Sequence, residues 1–144
     1  FKDILARAMG GRVAEQILYG DDGITTGAGS DLRNATQIAR DMVIEQGMGK
    51  ALRDQVFHED NGGLMFDKMT RERPYSDETA KQIDQEVAAL INEAKTRAMT
   101  VLKANRSHLD KLAAALLKDE TLEEETVAEI LKGTKLPKEA KLHA

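Results

Sequence analysis

The chain has no cysteine, which excludes disulfides and thiolate zinc sites and fits a reducing compartment. Aromatic residues make up only 3% of its 144 residues. The core must therefore be filled by Ala, Leu, Ile, Val and Met, which favours packed helices over a β-sandwich. There is no excess of basic charge. The net charge of −4 leaves no electrostatic footprint for nucleic acid or anionic lipid. Nor is there a long apolar run: nothing approaches the roughly 20 residues that span a bilayer, and no secretory signal is visible. The sequence predicts a soluble piece that neither binds nucleic acid nor inserts into a membrane.

What is present is a globular balance of 41% apolar and 32% charged residues, enough for one domain with a real core. The chain opens at Phe1, without an initiator Met, in a segment that already reads as helix. This suggests a fragment of a longer protein.

Phe1 to Leu18 carries Ile4, Leu5, Ala8, Val13 and Ile17 near helical spacing, interrupted by Gly10-Gly11. Such a pair costs roughly 1–2 kcal/mol relative to alanine, so either the helix bends there or another backbone packs close. Gly20-Asp21-Asp22-Gly23 reads as a loop. A second helix is predicted from Ser30 to Gln46, with Leu32, Ala35, Ile38, Ala39, Met42 and Val43 on one face and Gly47 as its stop. Over 48–74 the periodicity fails. There Gln55-Val56-Phe57 and Leu64-Met65-Phe66 flank Asn61-Gly62-Gly63, as in an irregular loop or small hairpin.

Ser76-Asp77-Glu78 starts a long amphipathic helix that ends near Asn105. Ser107 is expected to cap the next helix, with Leu109, Leu112, Ala113, Leu116 and Leu117 inward. A last short helix follows Thr121-Leu122, buries Val127, Ile130 and Leu131, and stops at Gly133. The fold class is all-α, a bundle of about five helices with one irregular or hairpin insertion. Residues 1–133 form the helical body, and 134–144 a Lys-rich tail with little to bury, expected to be mobile.

The segment that carries most chemical information is Thr25-Thr26-Gly27-Ala28-Gly29-Ser30-Asp31, a glycine-rich turn that delivers a carboxylate to a helix start. Asp31 is either a helix cap or a ligand on a rigid mount. A phosphate cradle is disfavoured, since the glycines lead to no lysine and the carboxylate would repel phosphate. Glu15 reads as a solvated acid or a partner of Arg12 at i, i+3. The run Glu123-Glu124-Glu125 reads as a favourable first helix turn. Among His58, His108 and His143 no pair stands at i, i+4, and there is no HExxH. Catalysis by this chain alone is not expected.

Several stretches, in order, resemble one family. They are Met9-Gly10-Gly11-Arg12-Val13-Ala14-Glu15, Tyr19-Gly20, Thr25 through Leu32, Ser76-Asp77-Glu78-Thr79-Ala80, Ile83-Asp84-Gln85-Glu86-Val87 and Glu120-Thr121-Leu122. Together they resemble the C-terminal part of the peptidase domain of FtsH-type proteases, the ATP-dependent, membrane-anchored AAA zinc metalloproteases. The likeness runs from about Gly10 to Gly133.

The resemblance implies a zinc held by the two histidines of an HExxH helix and by an aspartate in an STGASND-like segment. On this chain that third ligand is Asp31. Thr25 stands for the usual serine and Gly29-Ser30 for Ser-Asn. Glu15, Gly10, Gly11, Arg12, Thr26 and Gly27 are implied to support the site rather than to bind metal. HExxH and its general-base glutamate would lie upstream of Phe1, as would the ATP-binding module, so the chain alone is expected to be inactive, with zinc absent or weakly bound. The implied parent is a homo-hexamer that degrades unfolded or membrane proteins, anchored with its soluble part on the cytoplasmic face of the bacterial inner membrane or in an organelle interior. The competing reading is a non-enzymatic helical module for assembly, with Asp31 acting only as a cap.

Overall fold

The computed structural model describes residues 1–23, 25–57 and 75–141. Six α-helices occur among them: α1 (Lys2–Ala8), α2 (Gly10–Tyr19), α3 (Gly29–Ile44), α4 (Asp77–Ala104), α5 (Arg106–Asp119) and α6 (Glu124–Ile130). No strand is present among the described residues, so the all-α reading holds. The sixth helix arises because the first predicted helix is interrupted at Met9, just before the glycine pair. A Cβ at Gly10 or Gly11 would meet nothing within 4 Å. The glycines accompany a break in the helix and do not admit a neighbouring backbone.

The long helix α4 is the spine, about 42 Å at 1.5 Å per residue, and α1, α2 and α3 all pack against it. Its start is written in the sequence. Ser76 is extended and its side chain accepts the N–H of Thr79 at 3.2 Å, while Asp77 and Glu78 place negative charge in the first turn. One continuous core joins Leu5, Met9 and Val13 to Ala35, Ala39, Met42 and Val43 of α3 and to Ile83, Leu90, Ala94 and Ala98 of α4. Alanine at four of these positions is how a chain poor in aromatics closes its helices on one another.

Helix α3 ends where Gly47 takes φ +58°, and a Cβ there would lie 3.1–3.2 Å from backbone atoms of Asp54 and Gln55. The chain folds back on the helix end: Asp54 donates to the Gly47 carbonyl at 3.0 Å and Phe57 to that of Ile44 at 2.8 Å. Residues 48–57 are irregular, with Leu52 buried. The hairpin expected around Asn61-Gly62-Gly63 lies outside the described residues, as do His58 and His143.

Three expectations at the C-terminal end are corrected. The residue at the α4–α5 junction is Asn105, not Ser107. Asn105 is buried and its amide bridges the Val101 carbonyl and the backbone of Lys135 in both directions, at 2.7–2.8 Å. An inward Leu116 and Leu117 would need a partner layer that α5 lacks among the described residues. These two side chains are 43% and 87% exposed, and Ala113 and Leu131 are exposed as well. Finally, the tail does have something to bury. A single turn at Lys138–Ala140 sets Ala140 against α4, and Arg97 donates to the Ala140 carbonyl at 2.5 Å while pairing with Asp3. Arg97 thus ties both ends of the described chain to the spine.

Candidate functional site

The turn before α3 is built from α2. Arg12 and Glu15 stand at i, i+3 and project together, with Arg12 Nη1 4.0 Å from Glu15 Oε2. Both reach Thr25. Its hydroxyl donates to Glu15 Oε1, its N–H donates to Glu15 Oε2 at 3.3 Å, and its carbonyl accepts from Arg12 Nη1 at 2.8 Å. Every polar group of Thr25 is therefore taken up by one helix.

The hydroxyl also accepts the N–H of Gly27 at 3.2 Å, which makes residues 25–27 a hydroxyl-closed turn. The Thr26 carbonyl then accepts from Gly29 at 3.0 Å, and α3 begins. A Cβ at Gly27 would sit 3.3 Å from Thr25 Oγ1, a tight contact, and 3.8 Å from Glu15 Oε1, an ordinary one.

Asp31 follows in the first turn of α3, exposed. No side chain caps this helix, whose N-cap position is held by Ala28. The Asp31 carboxylate has no hydrogen bond or ion pair among the described residues. A carboxylate at a helix mouth ordinarily finds a partner there, and this one is free to accept another.

Of the residues singled out from the sequence, Arg12, Glu15, Thr26 and Gly27 converge on the turn that carries Asp31. Gly10 and Gly11, at the start of α2, line no contact there. Glu123 precedes α6, and Glu124 and Glu125 fill its first turn, as expected. His108 is engaged elsewhere, with Nε2 3.0 Å from the Lys132 carbonyl. Among the described residues no three His, Cys, Asp or Glu side chains converge to hold a metal. At this turn Asp31 offers a carboxylate with no hydrogen bond or ion pair among the described residues, while that of Glu15 is engaged by Thr25. Sequence reading named Thr25 as part of the motif but gave it no role of its own. A Thr-x-Gly step before a helix is the signature of a hydroxyl-closed turn, and that signal was available.

The helical body from α1 to α6 coincides with a family match: the model of Peptidase family M41 aligns with residues 1–130. The chain belongs to this family. Relatives named "ATP-dependent zinc metalloprotease FtsH" include those of Akkermansia muciniphila, 47% identical over 131 residues, and Chloroflexus aggregans, 43% identical over 136. That of Bacillus subtilis is 40% identical over 137 residues. These alignments cover 90–94% of the chain but only 16–21% of the relatives. The chain spans about a fifth of the length of the curated M41 proteins it matches, and is an FtsH-type peptidase-domain segment. Among its described residues no helix is long and apolar enough to cross a membrane.

Proposed function

We propose that this chain is the C-terminal part of the peptidase domain of an ATP-dependent zinc metalloendopeptidase, in which Asp31 is the third zinc ligand. The observation that carries the reading is the uncommitted carboxylate of Asp31, exposed in the first turn of a helix that M41 similarity spans. A cap-only role is not supported by a side chain that makes no capping bond.

In the complete domain, two histidines from an HExxH helix would join Asp31. Zinc, when bound, polarises the peptide carbonyl and lowers the pKa of its attached water. The part of this chain would be to offer the Asp31 carboxylate to the metal and to supply the helical body behind it. The general base belongs to HExxH, a motif the 144 residues do not contain, so the isolated chain does not hydrolyse peptides. The parent works as a membrane-anchored homo-hexamer, fed by its ATPase module with unfolded or membrane polypeptides. The test is degradation of an unfolded protein by the complete parent carrying Asp31→Asn. Loss of proteolysis with ATP hydrolysis retained is expected, and undiminished proteolysis would refute the assignment.

A further inference from the structure

We infer that Thr25 is a positioning residue for the metal site, the point through which α2 sets the place of Asp31. The inference rests on Asp31 being a zinc ligand and goes beyond it to what holds that ligand in register. Zinc–carboxylate bonds are about 2.0–2.2 Å long, and a site displaced by an ångström fails. The fully buried residues of α3 begin at Ala35, a full turn beyond Asp31, and Leu32 beside Asp31 is only partly buried against the core. The first turn of a helix is also its least self-supported part, because its N–H groups have no partners within the helix. Here no side-chain cap compensates.

What secures this end is the segment before it. Ala28 is buried, and Thr25 is bonded through its N–H, hydroxyl and carbonyl to Glu15 and Arg12. The hydroxyl is the hinge pin. It donates to Glu15 and accepts from Gly27, so one oxygen couples α2 to the turn that leads into α3. Serine can do both; valine, of nearly the same shape, can do neither. The role of Glu15 follows: its two oxygens are occupied by Thr25, which makes it the anchor of the turn.

The experiment is zinc affinity of the complete parent protein, measured by competition with a chelator, beside the thermal midpoint of each variant. Thr25→Val should weaken zinc about 10-fold or more, the range typical of residues that orient a ligand, and Thr25→Ser should restore it. Glu86→Ala, which acts beyond the other end of α3, should lower the midpoint without moving zinc affinity. Should Thr25→Val fail to fold, Glu15→Gln probes the same contact more gently and should shift affinity in the same direction. Unchanged affinity in Thr25→Val, or a loss that merely tracks the midpoint across Thr25→Val and Glu86→Ala, overturns the inference. Asp31→Ala separates the two levels. If it loses zinc while Thr25→Val does not, the positioning role alone falls. If it keeps zinc, the ligand assignment falls and the positioning role with it.

Discussion

Both carboxylate oxygens of Glu86 accept the backbone N–H of Lys50, at 2.9 Å each, and one also accepts that of Ala51 at 2.6 Å. Glu86 is buried on α4. The irregular segment after α3 therefore hangs from the middle of the long helix by a charge-assisted bond, stronger than a neutral one. Glu86→Ala should destabilise the chain by about 1.5–3 kcal/mol, read as a lower urea midpoint with an unchanged slope.

Gly47 combines a left-handed backbone with a close backbone neighbour. Its φ of +58° costs an L-residue about 1–2 kcal/mol, and a Cβ would press on backbone atoms at 3.1–3.2 Å, which cannot swing aside. Gly47→Ala is expected to cost about 2 kcal/mol or more. Gly10→Ala, with open space around it and a helical backbone, should instead raise stability by some tenths of a kcal/mol. Thermal denaturation of the two variants side by side checks the contrast.

The sequence made the spine legible because its signals are local. The Ser76 cap, the acidic first turn and a long amphipathic period need no knowledge of partners, and α4 lies where they place it. The stop at Gly47 was legible for the same reason. The inward face of α5 was not: Leu116 and Leu117 sit at helical spacing, but periodicity says which side is apolar and not whether anything covers it. Asn105 was missed because its bonds run to Lys135, 30 residues away. At the candidate site, Asp31 was singled out from its place at a helix start and Arg12 and Glu15 from their i, i+3 spacing, the family resemblance adding their implied roles, whereas the convergence of α2 on Thr25 is a tertiary fact that only coordinates display.

Asn105 governs the C-terminal segment. Its side chain is the tie between the end of α4 and Lys135, so Asn105→Ala should release residues 134–141 from the body. Limited trypsin digestion is the readout. Cleavage after Lys135 should come earlier in the variant than in the wild type, with a global loss of about 2 kcal/mol.

The core itself predicts a larger effect. Ile83 is wholly buried between the helices that pack on α4, and Ile83→Ala should cost about 2–5 kcal/mol. In a helical body held by small side chains this is enough to depress the thermal midpoint by many degrees.

The most direct measurement is the zinc affinity of the complete parent protein with and without Asp31→Ala. A free carboxylate that serves as one of three protein ligands gives a fall of more than about 100-fold, beyond what orienting residues produce, with the helical fold intact by circular dichroism. Wild-type zinc affinity in Asp31→Ala would contradict the assignment and leave the exposed carboxylate without a metal to hold.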